Sequence, residues 1–320
     1  MDVVVRKRLK PRELVEVVSL VMAAGCSEDH RPLGEHKWLD LVEGGREGFL
    51  AVLGREPGHA HLVGYAQLSR GKPGSWAVEV VVHPHHRDSA GSVSRHLLEE
   101  VVRQIARQGG GHLHYWVPKP SEVDYEVAAS LGLSPGRELF CLARPLPLPG
   151  ELREPASVPR CVQFRPFVVG QDEAAWLELN NVAFAHHPEQ GGWDMATLVR
   201  REAEPWFDPA GFVLAEADDG SLAGFCWTKL HAEKDPPDGE LYVLAVAESW
   251  RGKGLGRSLM IKGIDYLESK GASRAILYVD ASNQGAIALY RSVGFELDHV
   301  DKAFVADIKP AAATSRRRGR

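Results

Sequence analysis

The 320-residue chain lacks any apolar run near the ~18 residues that a membrane-spanning helix needs. Its four cysteines, Cys26, Cys141, Cys161 and Cys226, are scattered and form no Cys-x-x-Cys pair. That spacing excludes a disulfide scaffold and a thiolate zinc site, and no metal is expected. Basic charge is not in excess: 38 Lys and Arg face 43 Asp and Glu, a net charge of −5. A dedicated nucleic-acid binder is therefore not expected. Met1 to Glu16 mixes Arg6, Lys7, Arg8, Lys10 and Arg12 with short apolar stretches and has no apolar core of a secretion signal. The expectation is a reduced, cytoplasmic, monomeric protein without a membrane partner.

What is present suits a globular protein: 44% hydrophobic and 25% charged residues. The length favours two domains. Pro145, Pro147, Pro149, Pro155 and Pro159 crowd the middle of the chain. Such density opposes helix and central strand. It predicts a linker over 145–160 between domains at 1–144 and 161–308. Residues 309–320, with Arg316, Arg317, Arg318 and Arg320, read as a basic disordered tail.

The halves also repeat. Leu62-Val63-Gly64-Tyr65 matches Leu222-Ala223-Gly224-Phe225, Val80-Val81-Val82 matches Leu244-Ala245-Val246, and Leu131-Gly132-Leu133 matches Val293-Gly294-Phe295. The separations, 160, 164 and 162 residues, are nearly constant. This predicts one fold written twice. In the second half, strands are expected at Phe212–Ala217, Leu222–Leu230, Leu241–Val246, Ala275–Val279 and Phe295–Ala306. Helices are expected at Asp172–Ala185, Leu255–Lys270 and Gln284–Val293, the last capped by Asn283. The fold class is α/β.

Arg251-Gly252-Lys253-Gly254-Leu255-Gly256-Arg257 joins an apolar strand to a long helix. Glycines let the backbone approach a ligand closely, and amides at a helix start converge on an anion. With Arg251, Lys253 and Arg257 adding charge, a diphosphate is the expected guest. The loop is not a Walker loop, which ends in Lys and Ser or Thr.

VLAVAESWRGKGLGRSLM resembles the acetyl-CoA segment of the GNAT superfamily of N-acetyltransferases, with Arg251, Gly254 and Gly256 in the Arg-x-x-Gly-x-Gly pattern. Asn283-Gln284-Gly285-Ala286-Ile287-Ala288-Leu289-Tyr290 with Val293-Gly294-Phe295 resembles that superfamily's next segment. The resemblance implies two tandem GNAT-like domains, each a mixed central sheet flanked by helices.

Acyl transfer to an amine needs a neutral amine, a polarised carbonyl and a stabilised leaving thiolate. Glu240, at the start of the strand before the cradle, is the candidate base, and Tyr290 the candidate acid. By the repeat offsets their first-half counterparts are Trp76 and Ala128. Arg87-Asp88-Ser89-Ala90-Gly91-Ser92 is the first-half cradle, with Ala90 and Ser92 at the places of Gly254 and Gly256. The first domain is therefore not expected to catalyse.

The whole chain resembles the mycothiol synthase family. The carrying residues are Asn180 to Ala185, His187 to Trp193, Trp206 to Pro209, Trp227 to Lys229 and Glu240 to Leu244, with Leu33-Gly34-Glu35 and Val81-Val82-His83-Pro84 in the first half. That family acetylates the cysteinyl amine of cysteinyl-glucosaminyl-inositol with acetyl-CoA. The resemblance implies that Glu35, Glu189, Lys229, Glu240 and Tyr278 contact this acceptor. It implies that Leu244, Ala245, Val246, Arg251, Gly252, Lys253, Gly254, Leu255, Gly256, Arg257, Asn283, Gln284, Gly285, Ala286, Ile287 and Ala288 contact acetyl-CoA, with Val80, Val81 and Val82 in the first half. The departure is Ala245 and Ala247, where similar proteins tend to have Gly and Asp-Pro. Alternatives are a tandem GNAT enzyme for another small amine or a protein N-terminus, and an acyl-CoA-binding sensor without turnover.

Overall fold

The computed structural model describes residues 1–28, 32–45, 48–58, 61–71, 73–153, 159–185 and 192–311. In chain order its elements are β1 (Asp2–Arg6), α1 (Pro11–Ser27), α2 (Glu35–Val42), β2 (Leu50–Arg55), β3 (Leu62–Arg70), β4 (Ser75–Val82), α3 (Ser92–Arg107), β5 (Gly111–Val117), α4 (Glu122–Ser130) and β6 (Ser134–Pro145). There follow β7 (Val162–Pro166), α5 (Glu173–Ala183), α6 (Met195–Glu202), β8 (Phe212–Ala217), β9 (Leu222–His231), β10 (Asp238–Val246), α7 (Leu255–Ser269), β11 (Arg274–Asp280), α8 (Gln284–Arg291) and β12 (Glu296–Ile308).

Two compact units result: Met1–Glu138 with the chain from Val300 onward, and Leu139–His299. In the first, β1, β2, β3 and β4 pair antiparallel in sequence, and β4 pairs parallel with β5. In the second, β7, β8, β9 and β10 pair antiparallel, and β10 pairs parallel with β11. The plan is the same twice. Each sheet is then finished by a strand from the other half of the sequence. Lys302–Ile308 of β12 lies antiparallel to β5, and Leu139–Pro145 of β6 lies antiparallel to β11. The units therefore differ from the 1–144 and 161–308 partition in which strand completes which sheet. A strand's alternating pattern marks it as a strand without naming its partner.

Alternation also sets the layers. In the second unit Ala215, Cys226, Leu241 and Leu277 form one core with Leu259, Ile264 and Leu267 of α7 and Ile287 of α8. Leu214, Phe225, Trp227 and Val243 form another with Trp176 of α5 and Leu198 of α6. In the first unit α3 and α4 cover the face of Val52, Ala66 and Val78, and α1 covers that of Leu53, Tyr65 and Val81.

The proline-rich stretch is docked where it is described. Leu148 is buried in the α7 core. Its amide donates to Glu268 at 2.6 Å, and Arg153 is paired with Asp265 and Glu268 of α7. Residues 154–158 and the tail from residue 312 lie outside the described residues.

Candidate active site

The site in the second unit is organised by a strand that changes partners. β10 and β11 hold register only at Asp238↔Arg274, Gly239↔Ala275 and Glu240↔Ile276. Beyond Glu240 the two parallel strands part, while β10 runs on to Val246 against β9. The parting leaves the backbone of Leu241 to Val246 without a parallel neighbour, so Leu244, Ala245 and Val246 line an opening. A bulge assists it: Leu241 faces Thr228 and Val243 faces Trp227, leaving Tyr242 as the extra residue.

β10 leads into the cradle through a short 3-10 turn, Glu248–Trp250. Gly254 caps α7 with φ +77°, a left-handed conformation that side chains other than Gly, Asn and Asp rarely adopt. Among the described residues no side chain is recorded as accepting from the amides of Gly252 to Gly256. Arg251, Gly252 and Lys253 are exposed, and the Lys253 ammonium lies 4.9 Å from the Trp250 ring centre. Arg257 is differently engaged. It donates to the Ser292 and Leu152 carbonyls at 3.1 and 2.8 Å, which ties α7 to the end of α8. Asn283 caps α8 as expected, its side-chain oxygen accepting from the Ala286 amide at 3.2 Å. The exposed start of α8, Gln284, Gly285 and Ala288, flanks its half-buried Ala286 and buried Ile287. A diphosphate fits this donor set: amides at a helix start, two exposed cations and no carboxylate among Arg251 to Arg257.

Glu240 lies on the sheet face opposite α7, because its neighbours Gly239 and Leu241 pack on that helix. Its register partner on β9 is Lys229, which is 3% exposed, with its ammonium 4.4 Å from the Trp206 ring centre and 5.3 Å from that of Tyr242. Tyr278 sits two residues after Ile276 on β11 and is 40% exposed. Lys229, Glu240 and Tyr278 thus share one face. His231, overlooked in the sequence, joins them: its Nε2 donates to Glu240 Oε2 at 2.8 Å. Glu189 lies outside the described residues. Glu35 belongs to the first unit, half-buried at the start of α2.

Tyr290 is buried beside Phe295 in the α7 core. Burial pushes its phenol well above the usual range, and Cys226 adds to the shift. Cys226, the register partner of Leu244, lies in the same core as Tyr290, and Leu244 packs against that core.

The first unit repeats the frame and fills it with its own side chains. β4 and β5 part after Glu79↔Trp116, leaving Val80, Val81 and Val82 as the counterpart of the opening. The register corrects two expected correspondences. β4 pairs β3 without a bulge, and Ser69↔Ala77 occupies the place of Lys229↔Glu240. The counterpart of Glu240 is therefore Ala77 rather than Trp76. Gly91, with φ +60°, caps α3 as Gly254 caps α7, so Gly91 rather than Ala90 holds that place. One extra loop residue accounts for the shift. The Asp88 carboxylate then accepts from the Ala90 and Ser92 amides at 3.1 and 2.9 Å, standing where a phosphate would. Lys37 of α2, fully buried, donates to Ser69 Oγ at 2.5 Å and to the Ala77 and Gln67 carbonyls at 2.8 and 3.2 Å. It occupies the position matching Glu240 and Lys229.

We expect one equivalent of CoA per chain in calorimetric titration. Asp88→Gly, which uncovers the first cradle, is expected to add a second, weaker equivalent.

Two clusters bear on metals. His61, His83, His85 and His86 cluster edge-on or tilted, with ring centres 5.2 to 6.3 Å apart, and burial with neighbouring charge pushes His83 down. Cys141, Asp298 and His299 bring ligand atoms within 4.8 Å of one another. The Asp298 carboxylate already accepts from Arg274 at 3.3 Å and pairs with His299 Nδ1 at 2.6 Å.

Comparison with known proteins agrees with this geometry. The acetyltransferase (GNAT) family matches residues 175–295. The chain is similar to a mycothiol acetyltransferase of Acidimicrobium ferrooxidans, 40% identical over 306 residues, covering 94% of this chain and 96% of that protein. It is similar to the mycothiol acetyltransferase of Streptomyces coelicolor, 42% identical over 294 residues, covering 92% and 91%. Among solved structures, a tandem GNAT protein from the clavulanic acid biosynthesis pathway superposes with a TM-score of 0.73 at 16% identity, covering 97% and 99%. A GCN5-related N-acetyltransferase from Sphaerobacter thermophilus superposes with a TM-score of 0.65 at 23% identity, covering 97% of each chain. These two show the fold. With a repeated GNAT plan and relatives this similar over nearly their whole length, the chain belongs to the mycothiol acetyltransferase family.

Proposed function

We propose that the chain is an acetyl-CoA-dependent N-acetyltransferase that acetylates the cysteinyl amine of cysteinyl-glucosaminyl-inositol, the step that yields mycothiol. The observation that carries it is the shared face of Glu240, Lys229 and Tyr278 beside the opening between β10 and β11, inside a chain of this family. Leu244 to Val246 would hold the pantetheine arm. Arg251 to Gly256 and the start of α8 would hold the diphosphate, while Arg257 braces the cradle. Val80 to Val82 offer the matching strand end in the first unit, where Asp88 opposes a diphosphate. Lys229 and Tyr278, with Glu189 of the same half of the chain, would bind the acceptor. Its many hydroxyls suit carboxylate, ammonium and phenol partners.

Bound acetyl-CoA supplies an activated carbonyl and a thiolate leaving group. Glu240 accepts the proton the amine loses as its nitrogen forms the C–N bond. Tyr290 gives its phenolic proton to the sulfur as the C–S bond breaks. A tyrosine phenol ordinarily titrates at about 10 and so holds that proton at neutral pH. Tyr290→Phe keeps the ring and removes the proton. It is expected to lower kcat by about tenfold to a hundredfold, leaving the KM for acetyl-CoA nearly unchanged. Steady-state release of CoA measures both.

The proposal is tested by supplying acetyl-CoA with cysteinyl-glucosaminyl-inositol, with glucosaminyl-inositol and with an aminoglycoside. Release of CoA with the first alone supports it. Release with the aminoglycoside alone would assign another amine. Tight acetyl-CoA binding without release would indicate a sensor.

A further inference from the structure

We infer that His231 is a positioning residue for Glu240, aiming its carboxylate at the acceptor amine. This rests on the proposed role of Glu240 as base. Three observations carry it. The Nε2–H···Oε2 bond is 2.8 Å, and a carboxylate oxygen there can only accept, so the imidazole keeps its proton on Nε2. Both side chains are 12% exposed, so water competes weakly for either. The bond also spans the place where the sheet changes. His231 ends β9 opposite Asp238, and Glu240 is the last residue of β10 still paired with β11.

The bond fixes one carboxylate oxygen on β9. Its loss removes that restraint at a point where the backbone has lost a neighbour. Burial disfavours the charged imidazole, but Glu233, 3.4 Å from Nδ1, and Glu240 outweigh it and raise the His231 pKa, while Lys229 opposes them. Asp238, opposite in register, is taken up by Arg274 at 2.8 Å and Lys234 at 2.9 Å. The Nε2–H donor survives deprotonation of the ring, because the neutral tautomer can lose the Nδ1 proton instead.

A carboxylate that loses a donor to its charged form keeps a proton to higher pH. His231→Ala should therefore move the acidic limb of the kcat profile, which reports groups of the bound complex rather than the free amine, upward. It should also lower kcat about tenfold to a hundredfold with the KM for acetyl-CoA unchanged. His231→Gln, whose Nε2 can donate to the same oxygen, should recover most of kcat and restore the limb. The inference is overturned if the limb stays in place in His231→Ala, or if Gln is no better than Ala while both variants bind acetyl-CoA like the parent. Glu240→Gln separates the two levels: parental kcat in that variant defeats the base assignment itself, whatever His231 does.

Discussion

Glu240→Gln is expected to lower kcat by about a hundredfold or more, with acetyl-CoA affinity preserved. The substitution keeps the shape and the ability to accept from His231, and removes the proton acceptor. The acceptor is an α-amine, whose ordinary pKa is about 7.7–8.0. A sizeable neutral fraction therefore exists near pH 7.5, and the base need not strip a strongly basic ammonium. Its work is to take the proton released as the C–N bond forms. The lost rate should return in part at higher pH, where more amine is already neutral. Rate measurements between pH 6.5 and 9 check this. A loss of only a few fold, equal at every pH, would mean that Glu240 binds the acceptor without taking its proton.

Gly254→Val is expected to raise the KM for acetyl-CoA at least tenfold, with kcat at saturation changed little. Gly254 holds φ +77° at the start of α7, and a β-branched residue there is strained by about 1–3 kcal/mol. Relief of that strain turns the first amides of α7 away from one another. The diphosphate loses the convergent donors that make the cradle specific. Gly220→Val is the control. Gly220 also has positive φ (+81°), with nothing near its missing Cβ, in the β8–β9 turn. It should lose comparable stability and keep its KM. An equal rise in both variants would assign the effect to general destabilisation.

The second unit's elements were largely legible in the sequence. β8 spans Phe212–Ala217 as the apolar pattern predicts, and α7 starts at Leu255 after its glycine cap. Cradle and cap were legible because glycine and asparagine at such positions have local causes. Three features were not. The exchange of β6 and β12 depends on which sheet edge each strand meets, a long-range choice that alternation does not encode. The Tyr242 bulge adds one residue to β10, so counting by a fixed offset picks Trp76 where the register picks Ala77. Lys37 looks like an ordinary helical lysine, and only the tertiary fold buries it against Ser69 and Ala77. His231 could have been found, since it stands two residues beyond Lys229 on a strand and so shares its face.

The repeat also accounts for the different roles proposed for the two units. In the first unit Asp88 satisfies the cradle amides and Lys37 the acceptor position, both from within the unit. The second unit has an open cradle and a carboxylate in place of an alanine.

Acetyl transfer onto the cysteinyl amine is proposed to take place in the second unit. The most direct measurement incubates the protein with acetyl-CoA and cysteinyl-glucosaminyl-inositol and reads the product by mass and by free thiol. An acceptor heavier by one acetyl group is expected, with its thiol free and its amine blocked. Its formation is expected to be lost in Glu240→Gln and retained in Ala77→Val. No acetylated product above background, or equal loss in both variants, would contradict it.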